Sequence, residues 1–363
     1  MYEKWMKTAI SLAEAAQGQT SPNPAVGSVV VKDGRVVGMG AHLKPGEAHA
    51  EVHALHMAGH HAEGATIYVT LEPCSHYGKT PPCADLIIEK KVKKVVIGST
   101  DPNPLVSGQG IKKLMDAGIE VVTGVCQSET DALNEYFFYA MKHKKPFVTL
   151  KTAMSLDGKT ATNSGHSQWV TGPEAREDVH RDRHLHDAIL VGVNTVKYDD
   201  PSLTVRLQGG GVSPARVILD TQLSIPVHSK LLHDAESAVH IICGKNADRE
   251  FEENLNQLKN VSVHRMEEDA IQIQSVLSYL FTLGIHSVYV EGGSEIHASF
   301  INSNAVNRFV TYIAPKIITG QRAKGVIGGT GIEHMDEAFN MIIQHTSMIG
   351  TDLKIISIPK GDE

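Results

Sequence analysis

Three metal-ligand side chains, far apart along the chain, most strongly constrain how this sequence can fold. Cys74 and Cys83 flank a proline-containing loop, and His49 lies upstream, two residues before Glu51. One imidazole and two thiolates are common zinc ligands, and three protein ligands leave a position for water, whose pKa zinc lowers to roughly 7. The sequence therefore predicts a hydrolytic zinc site in which Glu51 moves protons and does not bind the metal.

The spacing of these residues is close to that of the zinc deaminases, in which His-x-Glu precedes Pro-Cys-x-x-Cys. His49-Ala50-Glu51 and Pro73-Cys74 match this pattern, but eight residues separate the two cysteines instead of two. We expect Pro81-Pro82 to stiffen the returning loop and Cys83 to open a helix, whose dipole favours a thiolate. In this chemistry Glu51 carries a proton to the amine that leaves as ammonia.

Two other zinc arrangements remain open from the sequence. His53 lies four residues after His49, as in the helical His pairs of metalloproteases, but the glutamate is then in the wrong place. A closed structural site would need a fourth ligand. The nearby histidines that could supply it are His42, His53, His56, His60, His61 and His76.

Composition narrows the class of protein and of ligand. The length of 363 residues favours two domains, and 41% hydrophobic with 21% charged residues is typical of globular proteins. A net charge of -7 argues against a nucleic-acid partner, and no apolar run is long enough for a membrane span. Two metal-binding thiolates need a reducing compartment, so we expect a cytoplasmic protein. Cys126 and Cys243 lie in no motif and are expected to be buried apolar residues.

Hydrophobic patterns predict two α/β domains, residues 1–145 and 146–363, that meet before Pro146. The first should begin with a helix and a hairpin turning at Asp33-Gly34, followed by alternating strands and helices that end in a long helix over 128–143. The second should contain a helix from about Pro173 capped by Thr171. Its predicted strands include 188–191, 215–219, 239–243 and 287–291, before a β-rich tail.

A second site is indicated where the strand 287–291 runs into Gly292-Gly293 and then a helix. Backbone N–H groups at such a turn can approach a phosphate, although many such turns are plain connections. Dense polar residues in 151–159 and 192–206 also suggest a cleft.

Segments of the first half resemble the deaminase domain of the bifunctional riboflavin-biosynthesis deaminase/reductases. They are residues 21–27, 49–51, 70–83, 101–104 and 108–110, including the widened cysteine spacing. The resemblance implies a cytidine-deaminase-like three-layer α/β/α domain with zinc ligands His49, Cys74 and Cys83 and catalytic Glu51. It also implies substrate contacts by Asn23, His42, His76, Lys79, Asn103 and Ser107. Lys79 could equally be a plain surface lysine.

The second half resembles the reductase domain of the same family, which implies a dihydrofolate-reductase-like α/β fold that binds NADPH. The resemblance places the cofactor against Ala153, Trp169, Thr195, Asp199, Thr221, Gly292, Gly293, Ser294, Glu295, Ile296 and His297. It places substrate against Lys151, Ser167, Arg183, Leu203, Arg206 and Glu291. Arg183 and Arg206 suit a phosphate. The proton donor stays open between Asp199 and Glu291.

Together these features predict a two-step enzyme acting on a small phosphorylated pyrimidine. Zinc-dependent deamination of 2,5-diamino-6-(5-phosphoribosylamino)pyrimidin-4(3H)-one would precede NADPH-dependent reduction of 5-amino-6-(5-phosphoribosylamino)uracil to the ribityl product. A nucleic-acid deaminase and a non-catalytic zinc module are the alternatives, which the acidic charge and the motifs in both halves disfavour. We expect a homo-oligomer, but the sequence does not show which one, nor the preference for NADPH over NADH.

Overall fold

The computed structural model of the protein describes residues 2–75, 81–103 and 107–361. The predicted substrate residues His76 and Lys79 lie outside this part of the chain. The chain divides into two compact units, Met1–Lys145 and Pro146–Glu363. Among the described residues, none of the helices has the length and apolar character to cross a membrane.

The first unit is built on a five-stranded sheet. In chain order its elements are α1 Tyr2–Glu14, β1 Gly27–Lys32, β2 Arg35–Ala41, α2 Ala50–Ala58, β3 Thr66–Leu71, α3 Cys83–Glu89, β4 Lys94–Ser99, α4 Gln109–Asp116, β5 Glu120–Val122, α5 Gln127–Leu133 and α6 Glu135–His143. The strand order is β2-β1-β3-β4-β5. β1 is antiparallel to β2 and β3, whereas β3, β4 and β5 are parallel. The predicted hairpin is confirmed, with Asp33 and Gly34 both at positive φ.

Helices cover both faces of this sheet. On one face Met6 and Ile10 of α1 pack against Val29 of β1. On the other face α2, α3 and α4 bury Leu55, Ile87 and Leu114 against alternate strand residues such as Ile67. Because successive strand side chains point to opposite faces, the two cores use different residues of the same strands. The unit therefore has the three-layer α/β/α arrangement expected from the sequence.

The prediction of one long helix over 128–143 is wrong, because Asn134 separates α5 from α6. Asn134 is buried and has φ near -119°, outside the helical range. Its side-chain oxygen accepts a hydrogen bond from the backbone N–H of Ala25 at 2.8 Å, and its amide nitrogen donates to the Ala25 carbonyl at 2.9 Å. This long-range pairing satisfies two buried backbone groups and favours the break in the helix.

The second unit is built on a nine-stranded sheet. Its elements are β6 Phe147–Ser155, α7 Pro173–Leu185, β7 Ala188–Gly192, α8 Val193–Asp199, β8 Ala215–Leu219, β9 Val239–Cys243, α9 Arg249–Asn256, β10 Val261–Arg265, α10 Ile273–Thr282, β11 Ser287–Gly292, α11 Ser294–Asn302, β12 Arg308–Ala314, β13 Met341–Ile349 and β14 Asp352–Pro359. The order is β10-β9-β8-β7-β11-β6-β12-β14-β13, parallel except where β14 joins β12 and β13. Helices α10 and α11 pack on one face, and α8 and α9 on the other.

The start of α7 differs from the prediction that Thr171 caps it. The N-cap is Gly172, and Pro173 is the first helical residue. The backbone N–H of Gly172 donates to Asp352 at 2.6 Å, while the carbonyl of Thr171 accepts from Arg176 at 2.9 Å. A contact with the C-terminal hairpin therefore sets where this helix begins.

We predict that Asn134→Ala destabilises the first unit by about 2–4 kcal/mol, because both buried backbone groups of Ala25 lose their partner. Urea unfolding followed through Trp5 would measure this in a Trp169→Phe background, since the chain has only these two tryptophans. Gln127→Ala, at an exposed position of α5, is the matched control. Equal unfolding free energies for the two variants would contradict the role of Asn134.

Candidate active sites

The three predicted zinc ligands meet at one point of the first unit. His49 is the N-cap of α2, Cys74 follows β3, and Cys83 opens α3. The Nδ1 atom of His49 lies 3.6 Å from Sγ of Cys74 and 3.3 Å from Sγ of Cys83. The possible ligand atoms of the three residues lie within 4.8 Å of one another, and within the described part of the chain no fourth such residue joins them. The set fits the donor preference of zinc.

The cysteine pair is electrostatically prepared for a cation. The Cys83 thiol hydrogen-bonds to Cys74 and lowers the pKa of Cys74 to about 4. The backbone N–H of Cys83 also points at Sγ of Cys74, at 3.3 Å. The pKa of Cys83 is raised in turn, because it faces the Cys74 thiolate. A coordinated cation would deprotonate both thiols.

Glu51 lies in the first turn of α2, beside the ligand cluster. Its side chain is almost fully buried, at 3% exposure. Burial, with a contribution from the Cys74 thiolate, raises the pKa of Glu51 to about 7. A carboxyl group with this pKa can both accept and release a proton at neutral pH.

Two of the predicted substrate residues lie next to this cluster. The rings of His42 and His49 meet edge to face, with centroids 5.3 Å apart. Nδ1 of His42 is 3.2 Å from the Ala48 carbonyl and therefore carries the proton, which makes Nε2 the acceptor for Asn23 Nδ2 at 3.0 Å. Both ring nitrogens are thus occupied, so His42 does not serve as a fourth zinc ligand.

The other described pair, Asn103 and Ser107, lies in the loop after β4. The backbone N–H of Ser107 donates to the Asn103 carbonyl at 2.8 Å, and the N–H of Asn103 donates to Asp101 at 2.8 Å. This loop is attached to the metal-ligand segment through Glu72, whose role sequence reasoning missed. The position of Glu72 in the Glu72-Pro73-Cys74 motif, two residues before a zinc ligand, could have indicated a role near the site.

In the second unit the predicted substrate residues form a charged cluster around Glu291, at the end of β11. Arg183 of α7 donates to Glu291 from Nε at 2.5 Å and from one terminal nitrogen at 3.0 Å. The ammonium of Lys151 is 3.9 Å from the same carboxylate. Burial alone would raise the pKa of Glu291, but Arg183 and Lys151 lower it to about 2.

Arg206 and Thr204 extend this cluster. The other terminal nitrogen of Arg183 donates to the Thr204 carbonyl at 2.9 Å, and Arg206 lies 3.4 Å from the Thr204 hydroxyl. The backbone N–H of Arg206 donates to Nδ1 of His180 at 3.3 Å. Sequence reasoning missed His180, although its position one helical turn before Arg183 was a usable signal. Burial and the two arginines lower the pKa of His180 to about 4, so it is neutral at pH 7.

Several of the predicted cofactor residues lie close together where β7 and β11 end. A Cβ on Gly292 would lie 3.1 Å from the Thr195 hydroxyl, and one on Gly192 would lie 2.8 Å from Ile296. Gly293 has φ near +83° and is the N-cap of α11. Close packing thus explains why glycine stands at positions 192 and 292, and the positive φ explains it at position 293. Among the described residues no side chain caps α11, so its first N–H groups are open to an anion such as a nucleotide phosphate.

The remaining predicted residues lie on several elements of the second unit. The Ser294 carbonyl and the Glu295 carboxylate accept from the backbone N–H groups of Gly328 and Gly329, and Nδ1 of His297 is 3.0 Å from the Val326 carbonyl. Leu203 is buried at positive φ and Asp199 ends α8. The other four residues lie on β6, on the loop before α7 and after β8, and no hydrogen bond within the described chain joins their side chains to the cluster: Ala153, Ser167, Trp169 and Thr221.

Comparisons with known proteins agree with this division. Residues 146–355 match the model of the RibD C-terminal domain. Residues 1–99 match the cytidine and deoxycytidylate deaminase zinc-binding region. The riboflavin biosynthesis protein RibD of Bacillus amyloliquefaciens is 49% identical over 99% of this chain and 97% of its own. The chain belongs to the RibD family.

Solved structures of RibD proteins support the same conclusion. The Acinetobacter baumannii RibD has a TM-score of 0.92 and 38% identity, with 99% of each chain covered. A diaminohydroxyphosphoribosylaminopyrimidine deaminase/5-amino-6-(5-phosphoribosylamino)uracil reductase of Thermotoga maritima has a TM-score of 0.88 and 36% identity, again over 99% of each chain. The predictions of a cytidine-deaminase-like domain, a reductase domain, zinc and NADPH are confirmed. Like other RibD proteins, this chain is a bifunctional deaminase and reductase of riboflavin biosynthesis.

We predict that Glu291→Gln destabilises the second unit by about 3–5 kcal/mol at pH 7, because Arg183 is left buried without its counter-charge. The folded pKa of Glu291, about 2, lies below its ordinary value of 4.5. The ion pair therefore stabilises the fold above pH 4.5, and this contribution is lost as the pH falls towards 2. Urea unfolding followed by circular dichroism should show that the difference in unfolding free energy between the variant and the unaltered protein decreases over this pH range. A difference that does not depend on pH would contradict the stabilising role of the Glu291 ion pair.

Proposed function

We propose that residues 1–145 deaminate 2,5-diamino-6-(5-phosphoribosylamino)pyrimidin-4(3H)-one and that residues 146–363 reduce the deaminated product. The observation that supports the first assignment is the His49, Cys74 and Cys83 group with Glu51 buried beside it. Zinc held there supplies a water of lowered pKa. Glu51 takes a proton from the attacking water and delivers it to the amine that leaves.

Asn23 and His42 orient the pyrimidine in this proposal. The Ala48 carbonyl fixes the His42 tautomer, so the ring presents Nε2 on the side of Asn23. Within the described part of the chain no hydrogen bond occupies the side-chain oxygen of Asn23, so we assign it as an acceptor for a substrate N–H. Asn103 and Ser107 lie on the neighbouring loop and are proposed to bind a more distant part of the substrate.

In the reductase site NADPH supplies the hydride, and the protein orients the ribose and provides a proton. Glu291 is ionised and paired with Arg183, so it is poorly suited to donate that proton. Burial raises the pKa of Asp199, the last residue of α8, a helix that begins directly after β7. We therefore assign the proton donor to Asp199 and a positioning role to Glu291.

The substrate phosphate is assigned to Arg206. The three donor nitrogens of Arg183 that point into the site are already occupied by Glu291 and the Thr204 carbonyl. The guanidinium of Arg206 contacts only the Thr204 hydroxyl among the described residues, so its paired donors are available for a phosphate. Neutral His180 supports the backbone of Arg206 without competing for the anion.

A homo-oligomer and a cytoplasmic location complete the proposal. β13 is the edge strand of the nine-stranded sheet, and it exposes Ile342, Ile343 and Met348. An apolar edge of this kind is suited to pairing with a second copy of the chain. All four cysteines are free thiols, and the two zinc-binding ones require a reducing compartment.

The zinc-loaded protein should release ammonia from the diaminopyrimidinone ribosylamine phosphate without NADPH, and should oxidise NADPH only after deamination.

Glu51→Gln should lower deamination by at least about 10³-fold, because the proton shuttle is lost, while metal analysis shows unchanged zinc. Reduction of the deaminated substrate by the same variant is the internal control. NADPH oxidation without ammonia, or loss of zinc in the variant, would contradict these roles.

Arg206→Met should raise the reductase KM about 10- to 100-fold, because a charge-assisted phosphate contact is lost, with a smaller change in kcat. Initial rates of NADPH oxidation against the deaminated substrate would measure both constants. Arg249→Met, at an exposed position of α9, is the matched control. An unchanged KM in the Arg206 variant would remove this residue from phosphate binding.

A further inference from the structure

The carboxylate of Glu72 lies at the junction between the metal-ligand segment and the loop after β4. Glu72 directly follows β3, two residues before Cys74, and is 4% exposed. Its backbone N–H donates to the Ser99 carbonyl at 3.0 Å, which fixes it beside the end of β4. Because it is buried and not a metal ligand, its charge needs compensation from neighbouring donors.

Four backbone N–H groups provide this compensation. One carboxylate oxygen accepts from Asp101 at 3.3 Å and from Gly108 at 3.0 Å. The other accepts from Gly110 at 3.0 Å and from Ile111 at 3.3 Å. The last two N–H groups belong to the first turn of α4, whose N-cap Gly108 has no side chain to satisfy them. Glu72 therefore serves as the cap of α4 from a distant part of the chain.

The same carboxylate also joins the two ends of a loop. Asp101 and Gly108 stand on either side of the segment that contains Asn103 and Ser107, and one oxygen of Glu72 accepts from both. The helix α4, which follows the loop, packs closely against the metal-ligand segment, since a Cβ on Gly110 would lie 2.0 Å from the Pro73 carbonyl. Any movement of Glu72 would thus move the substrate loop relative to Cys74.

We infer that Glu72 is a positioning residue for deamination, which holds the Asn103 and Ser107 loop in register with the zinc ligands. This role rests on the proposed function of the first unit. It predicts an effect on substrate binding that exceeds any effect on metal binding, because Glu72 does not belong to the group of His49, Cys74 and Cys83.

Glu72→Gln tests the inference, since the amide keeps the shape but turns an NH₂ group towards two backbone donors. We expect the deaminase KM to rise about tenfold, with kcat changed less and zinc content unchanged. Hydrogen exchange at Gly108, Gly110 and Ile111 should accelerate in the same variant. Glu89→Gln, at an exposed site on α3, is the matched control, and reduction of the deaminated substrate should be unaffected.

Gly110→Ala provides a second probe that keeps the Glu72 side chain, because its Cβ would lie 2.0 Å from the Pro73 carbonyl and 3.3 Å from a Glu72 carboxylate oxygen and would move α4 away from both. It should raise the deaminase KM in the same way. A KM within about twofold of the unaltered protein in both zinc-loaded variants, whatever their Tm, would overturn the inference. Absence of ammonia release by the unaltered protein would instead contradict the proposed function. Hydrogen exchange would still show whether the Glu72 carboxylate holds the backbone N–H groups around it.

Discussion

The cost of burying a carboxylate organises both halves of this protein. Three glutamate side chains are largely buried, and the surroundings of each carboxylate differ. Glu51 lies near the His49 imidazole, but burial and the Cys74 thiolate outweigh this charge, so the pKa of Glu51 rises towards neutrality and suits it to proton transfer. Glu291 is paired with Arg183 and Lys151, so it stays ionised and fixes the helix and strand that carry them. Glu72 is compensated by backbone N–H groups and so fixes a loop. The partners of each carboxylate set its role.

Parallel strands explain why these groups meet where they do. In the first unit β3 and β4 run parallel, so Cys74 and Asp101 leave the sheet at the same edge. In the second unit β7, β11 and β6 are parallel neighbours, and Gly192, Gly292 and Glu291 lie at the carboxyl ends of β7 and β11. Open α/β sheets bind ligands at this edge, because the loops and helix N-termini that follow the strands converge there. Each half thus places its polar residues at one edge and its core elsewhere.

Local patterns in the sequence predicted local structure well. The Asp33-Gly34 turn and the helix beginning at Cys83 follow from local sequence patterns, and both are confirmed. The break at Asn134 and the cap supplied by Glu72 were not predictable in this way. Both depend on hydrogen bonds to residues far along the chain, Ala25 in one case and α4 in the other. A periodicity argument contains no information about such partners.

The widened spacing between Cys74 and Cys83 shows how a metal site tolerates an insertion. Lengthening the loop from two residues to eight is two doublings, which costs only about 1.2 kcal/mol of closure entropy. Local contacts at Cys83 offset this cost. Its backbone N–H points at Sγ of Cys74, the carbonyl of Cys74 accepts from Ala84 at 3.1 Å, and Cys83 stands at the positive end of α3. The second ligand is therefore held by the helix that it opens.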